Sequence, residues 1–454
     1  MNFRSWFPLA LAPILALTTA VTADNTNLPR GSFFGARTLP TAEGVTIGDV
    51  QPLGTAARMG LRSGDLLLLL NGARITNATV VQTEMRRLSV GSKISADLMR
   101  GGRKVHLQAT TVSAPTEKYA GASVTYGAVQ FRGNLLRDIL TRPTDRRLGA
   151  VVFFIQGFGC FSIEARTPDG EFAKLAQAFS ARGIAFYRVE KPGVGDSTGP
   201  HACAENDFAT ELDGFRTAYR HLADLGYSRD QIFILGHSLG GIEAPLLAAE
   251  NSPRGVAVYG TILRNWADYM LDLDRLQDFQ VLGRDPGATY DRAEGDREAI
   301  HRFFFAGGSL RTITSDNPAI TNNLTELFGW DGTNHLFGQS ETFMRDLAGI
   351  NLARAWQSSR SRVLSLYGAS DVIALSGQDQ RDIVDIVNFA RPGTAQYLEV
   401  PDTMHTMDLV GSRDELRKAS IQKGELVNGA FNPEVADRLV EWIERSMLLP
   451  PVAR

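Results

Sequence analysis

The chain has 454 residues, 43% of them hydrophobic and 21% charged, which suits two or three folded domains with sizeable cores. Lysine and arginine number 47 against 50 acidic residues, a formal charge of −3, and no basic stripe or long like-charge block stands out. That balance excludes the electrostatic footprint of a nucleic-acid binder.

Residues 1–23 read as a secretory signal peptide. Arg4 supplies the positive start, an apolar stretch covers 7–17, and Val21-Thr22-Ala23 gives the small-residue pattern that a signal peptidase cuts after. The apolar run is short for a bilayer span of about 20 residues, and no Cys follows the cut to take a lipid anchor. The expected location is therefore secreted or periplasmic, with cleavage near Ala23 and no membrane span in the mature chain. Two cysteines remain, Cys160 and Cys203. An even pair in an oxidising compartment favours a disulfide, two free buried thiols being the alternative.

After a polar linker over 24–30, residues 31–115 have their own strand-and-turn logic. Strand-like pieces precede a helix-like stretch at 80–88, and two further strands flank Gly101-Gly102. The Ala56-Ala57 pair, Gly60-Leu61, Gly64-Asp65 and Asn71-Gly72 stand in an order that resembles a PDZ domain of the kind attached to bacterial envelope proteases. The resemblance implies a β-rich module that adds a peptide as an extra strand and holds its C-terminal carboxylate in a loop of backbone N–H groups. That loop would be Ser32-Phe33-Phe34-Gly35, with 36–39 as the receiving strand. Peptide binding and use as a docking spacer both remain open, since fold does not fix function.

From 118 to 454 the pattern changes to strands alternating with amphipathic helices, an α/β domain with a mostly parallel sheet. Apolar runs at 151–155, 184–189, 232–235, 256–259, 363–367 and 397–400 read as buried strands. Phe208, Leu212, Phe215, Tyr219 and Leu222 recur at helical spacing, as do Ala436, Leu439, Val440 and Ile443. The alternation stops over about 265–358, a mixed, aromatic stretch too long for a loop, which reads as an inserted helical cap.

The chemistry centres on Gly236-His237-Ser238-Leu239-Gly240, followed by Gly241. A strand runs into this motif and a helix at 242–250 leaves it, the strand–turn–helix geometry of a nucleophile elbow. Small neighbours permit the sharp turn that lifts the Ser238 hydroxyl, and the helix start favours developing negative charge. Pro245 is expected to kink that helix or end a short first segment. A serine hydroxyl needs a base, and the base needs an orienting acid, in the chain order Ser, acid, His. Asp371 follows the strand at 363–367 and His405 follows the last strand, so both fall at the sheet edge that carries Ser238. Asp402 is the rival acid, but three residues from His405 on one loop it is poorly placed to reach around the ring. His237 shapes the elbow, and His301 and His335 lie in the cap.

Acyl transfer also needs donors aimed at the oxyanion. One is the Leu239 N–H, and the other comes from Gln156-Gly157-Phe158-Gly159, with Phe158 as the chosen donor. These ordered motifs resemble the α/β-hydrolase family, particularly its lidded esterase and prolyl-aminopeptidase-like branches. Gln156 stands where many relatives have His, and residues 190–197 occupy the place of a D-x-R-G-x-G-x-S-like structural turn at the site rim. The resemblance places Cys160 and Cys203 on neighbouring loops of the catalytic edge. A bond between them closes a loop of about 40 residues, worth about 3–4 kcal/mol in the chain-entropy model, and would stiffen the oxyanion loop.

The expected fold is thus an α/β-hydrolase domain with an inserted cap, preceded by a PDZ-like domain. The expected function is hydrolysis of a carboxylic ester through an acyl-enzyme on Ser238, His405 and Asp371, with no metal and no organic cofactor. Cleavage of short peptides by the same triad is the second reading, and a non-enzymatic peptide-binding scaffold the third. Expected partners are the small ester or peptide substrate and a peptide C-terminus at the PDZ-like loop.

Overall fold

The computed structural model describes residues 28–453 apart from 42 and 146, so the expected signal segment and its cut at Ala23 lie outside the described residues. The N-terminal sheet comprises β1 (Ala36–Thr41), β2 (Gly44–Val50), β3 (Leu66–Leu70), β4 (Ala73–Arg74), β5 (Lys93–Arg100) and β6 (Arg103–Thr110). Two helices accompany it, α1 (Thr55–Met59) and α2 (Ala78–Arg86). The order is β1-β2-β3-β5-β6 with β4 on β3, all antiparallel, which leaves β1 at one edge. Alternate residues of β5 (Ile94, Ala96, Leu98) turn inward with Val45, Ile47, Met59 and Met85 to form a small core of their own. Gly101 and Gly102, both at positive φ, make the tight two-residue turn between β5 and β6 that only such residues adopt cheaply.

The larger sheet begins with a hairpin, β7 (Ala122–Phe131) and β8 (Asn134–Pro143). It continues through β9 (Val151–Ile155), α3 (Glu171–Ala181), β10 (Ala185–Val189), α4 (Phe208–Asp224), β11 (Ile232–His237), α5 (Gly240–Asn251) and β12 (Gly255–Tyr259). A helical insertion follows: α6 (Trp266–Asp272), a π turn at Leu273–Gln277, α7 (Asp278–Leu282), α8 (Pro286–Phe305), α9 (Leu310–Asp316) and α10 (Thr321–Phe328). It closes with the short hairpin β13 (His335–Leu336) and β14 (Gln339–Ser340), then α11 (Glu341–Ala348). Helix α12 (Leu352–Ser358) returns to the sheet and packs beside α5 and, later in the chain, α13. Next come β15 (Arg362–Gly368), α13 (Gln378–Ala390), β16 (Ala395–Val400), β17 (Asp408–Leu409), α14 (Arg413–Lys423), β18 (Ala430–Phe431) and α15 (Pro433–Leu448).

The sheet order is β16-β15-β12-β11-β9-β10-β8-β7, parallel from β16 to β10 and antiparallel at β8 and β7. The strand pleat sorts side chains onto two faces. Val151, Phe153 and Ile155 join one core with α4, α5, α12 and α13, while Val152 and Phe154 join the other with α3 and α15. Burial on both faces explains why these strands read as unbroken apolar runs. Helix α5 continues through Pro245 rather than ending a short first segment there, and the proline forgoes the bond to the Gly241 carbonyl four residues back.

The segments entering and leaving the first domain are fastened to the second. Arg30 pairs with Glu164 and with Asp196 (2.9 Å), and its guanidinium lies over the Tyr126 ring. Glu117 meets Arg188 of β10 at 2.6 Å, both side chains being inaccessible to solvent. The end of the expected polar linker is therefore anchored. Among the described residues no helix is long and apolar enough to cross a membrane.

Candidate active site

Strand β11 delivers Ser238 into the sharp turn before α5. Ser238 takes a left-handed backbone (φ 55°), which L residues adopt only under strain. Its N–H donates to the Tyr259 carbonyl at 2.9 Å, and its side chain stays half-buried. The neighbouring glycines are required by contact. A Cβ on Gly236 would lie 2.4 Å from the Gly240 carbonyl oxygen, and one on Gly240 would lie 2.1 Å from that of Ile155. The start of α5 is thereby pressed against the end of β9, where the expected oxyanion loop begins.

Asp371 stands in the turn after β15 and is wholly buried. One carboxylate oxygen accepts the Ile373 and Ala374 N–H groups at 2.8 Å each, and the other meets His405 Nδ1 at 2.8 Å. Asp402, the rival acid, is exposed at the tip of the same turn as His405. His405 itself is held through its backbone. Its carbonyl accepts His237 Nε2–H at 2.8 Å, and the adjacent Met404 carbonyl accepts the Tyr259 hydroxyl at 2.6 Å. Burial, and then the His405 charge, push His237 down to about 4, which keeps it a neutral donor. Gly260 makes room for the pair, since a Cβ there would meet Asp371 Oδ2 and His405 Nδ1 at 2.9 Å each.

Of the expected relay the carboxylate–imidazole contact is present, whereas among the described residues no hydrogen bond joins the Ser238 hydroxyl to His405. Catalytic hydrogen bonds are commonly long without substrate and tighten when it binds. Gly157 lies directly against the serine, for a Cβ there would come within 3.0 Å of Ser238 Cβ. Among the described residues neither the Phe158 nor the Leu239 N–H donates to a backbone acceptor, so both remain available to a ligand.

Four contacts fix the expected oxyanion loop, residues 156–159. Gln156 Nε2 donates to the Phe161 carbonyl at 2.9 Å, and Lys191 Nζ donates to that of Gly157 at 2.8 Å. A disulfide joins Cys160 to Cys203, and the Phe158 ring stacks on Trp266 of the cap, 6.0 Å between centroids. Phe337 and Phe343, also of the inserted segment, meet the same ring edge-on. The hairpin β13–β14 contacts both of the loops that the disulfide joins. His335 pairs with Glu205 at 2.7 Å, and Gln339 Nε2 reaches Cys160 Sγ at 3.4 Å. Lys191, Gly260 and Tyr259 were not singled out from sequence, because their roles depend on contacts between distant segments.

Comparison with known proteins finds a match in each of two segments. Residues 150–283 match the family described as "Serine aminopeptidase, S33", and residues 32–111 match the PDZ domain. The chain is a serine hydrolase of the α/β-hydrolase fold that carries a PDZ domain. Among curated relatives, the periplasmic serine endoprotease DegP of Salmonella typhimurium is 34% identical over 62 residues, 14% of this chain and 13% of that protein. DegP of Escherichia coli K12 is 31% identical over 64 residues, 14% of each chain. The hydrolase thus spans about a seventh of the curated relatives it matches, within the PDZ segment. Among solved structures, Est1E from Butyrivibrio proteoclasticus covers 73% of this chain and 100% of its own, at 14% identity and a TM-score of 0.42. Proline iminopeptidase of Mycobacterium smegmatis covers 71% and 99%, at 16% identity and 0.42.

In the PDZ domain, part of the expected carboxylate loop is occupied by the fold itself. The Ser32 hydroxyl donates to the Met85 carbonyl, and the Phe33 N–H donates to that of Val112 at 2.7 Å. Among the described residues the Phe34 and Gly35 N–H groups donate to no backbone acceptor. A cleft of about 620 Å³ runs between β1 and α2, and the hydrolase domain supplies its far wall through Phe161 and Arg166. The Arg166 guanidinium lies 5.0 Å from the centre of the Phe33 ring.

Proposed function

We propose that this is an exported serine hydrolase that cleaves a carboxylic ester through an acyl-enzyme. Ser238 Oγ attacks the carbonyl carbon while His405 Nε2 takes its proton, and the Phe158 and Leu239 N–H groups receive the oxyanion. His405 returns the proton to the departing alcohol, and water, activated by His405, then releases the acid. Asp371 holds the imidazole in the tautomer that leaves Nε2 free to accept.

The observation that carries this reading is the buried Asp371–His405 pair at 2.8 Å on the sheet edge that presents the strained Ser238 turn. The aromatic wall around Phe158 supports an apolar acyl group. Export is supported by the disulfide, by the signal-like start of the sequence and by the periplasmic DegP relatives of the PDZ segment. A second reading, cleavage of short peptides, is favoured by the description of the matching family. The PDZ cleft, with two free N–H groups beside Arg166, supports capture of a peptide C-terminus.

Release of p-nitrophenol from short acyl esters, lost in Ser238→Ala, tests the mechanism. Turnover of amino-acid p-nitroanilides in place of the esters would move the assignment to the peptidase reading. Fluorescence anisotropy with free-acid and C-terminally amidated peptides tests the cleft. Equal affinity for the two would remove the carboxylate from its role.

A further inference from the structure

Beneath the oxyanion loop lies a group of buried charges that the proposed mechanism leaves unused. Lys191 follows β10, Glu211 sits on α4 and Glu243 on α5, and all three side chains are essentially inaccessible. Lys191 Nζ is 2.6 Å from Glu211 Oε1 and donates to the Gly157 carbonyl at 2.8 Å. Both carboxyl oxygens of Glu243 are buried without a hydrogen-bond partner among the described residues.

We propose that Lys191 is a positioning residue for the oxyanion hole, pinning the Gly157 carbonyl so that the Phe158 N–H is aimed at the tetrahedral intermediate. The inference rests on the reading of Ser238 as nucleophile. Its physical basis is the planarity of one peptide unit. The Gly157 carbonyl and the Phe158 N–H belong to the same plane, and no described peptide bond is cis, so the two groups point in opposite directions. A hold on the oxygen from below therefore sets the direction of the hydrogen above. An ammonium is a strong, charge-assisted donor, and it draws electron density towards the carbonyl, leaving the N–H more positive.

The other two residues keep this cation in place. Glu211 neutralises it. Burial, and next the Glu211 charge, push the Glu243 carboxyl well above the usual range against the pull of Lys191, so Glu243 stays protonated and adds no second negative charge. Glu243 stands on the helix whose first turn carries the Leu239 donor. The cluster thus ties the Gly157 carbonyl to α4 through Glu211, with Glu243 of α5 near the pair. A buried ion pair adds little stability over an apolar pair of equal volume. What this pair provides is a fixed orientation.

The test uses the full chain with Lys191→Met and, to avoid stranding a buried carboxylate, Lys191→Met/Glu211→Gln. Kinetics on p-nitrophenyl acetate and inhibition by phenylboronic acid, which forms a tetrahedral adduct with an active serine, are read together with the circular-dichroism melt. In the folded double variant kcat falls about 10- to 100-fold with KM nearly unchanged, and boronate affinity falls in step. A folded double variant with the parent kcat and boronate affinity overturns the proposal, as does a rise in KM alone or a kcat loss with boronate affinity intact. Hydrolysis that survives Ser238→Ala sinks the nucleophile reading instead.

Discussion

Asp371 grips His405 through one carboxylate oxygen at 2.8 Å while the other oxygen is tied to its own loop by the Ile373 and Ala374 N–H groups. An acid anchored in this way fixes both the tautomer and the tilt of the imidazole. On the proposed relay, Asp371→Asn presents an N–H to Nδ1 and favours the wrong tautomer. The expected outcome is a kcat lower by about 10⁴-fold with KM little changed, measured on p-nitrophenyl esters. Activity within tenfold of the parent would remove Asp371 from the mechanism.

The Cys160–Cys203 bridge closes a loop spanning 43 positions. Replacing both cysteines by serine is expected to cost about 4 kcal/mol on the chain-entropy model, read from urea unfolding of parent and variant. Reductant should lower the parent to the level of the variant and leave the variant unmoved.

How far the sequence disclosed this arrangement varies by element. The elbow is legible because its glycines adjoin an apolar strand, and Asp371 and His405 are legible because each follows such a strand. The hairpin β7–β8 is less so. Arg137 and Asp138 interrupt the inward-facing run of β8, yet both are buried, Arg137 donating to the Leu28 and Gly127 carbonyls. Lys191 lay within a motif that reads as a turn. Its role appears only when the Gly157 carbonyl arrives from another strand, and no local pattern encodes that meeting.

The Glu117–Arg188 pair gives a third prediction. Glu117→Gln leaves the Arg188 charge buried and uncompensated, at an expected loss of about 3–5 kcal/mol in chemical denaturation. The double change Glu117→Leu/Arg188→Met removes both charges and should recover much of that loss. If the single and double variants are equally destabilised, packing rather than charge governs this contact.

His237 makes stability depend on pH. Its folded value of about 4 lies below the ordinary ~6.5 of an unfolded histidine. Between these values the unfolded chain binds more protons, so stability falls as pH drops from about 6.5 to 4, by on the order of 3 kcal/mol. Glu190 works in the opposite sense. Burial lifts it to about 7, so its contribution fades as pH rises from about 4.5 to 7. The decisive measurement is therefore parent against His237→Gln, which keeps a donor for the His405 carbonyl without titrating. Between pH 6.5 and 4 the parent should lose on the order of 3 kcal/mol relative to the variant, and parallel curves would contradict the assignment.

Clasping both the entry and the exit of the PDZ domain to the hydrolase, through Arg30 on one side and Glu117 on the other, removes the hinge that a single flexible tether would provide. Whatever occupies the cleft beside Phe161 is consequently presented at one set angle to the catalytic body. A pair of spectroscopic labels, one on each domain, should report a single narrow separation whether or not a peptide is bound.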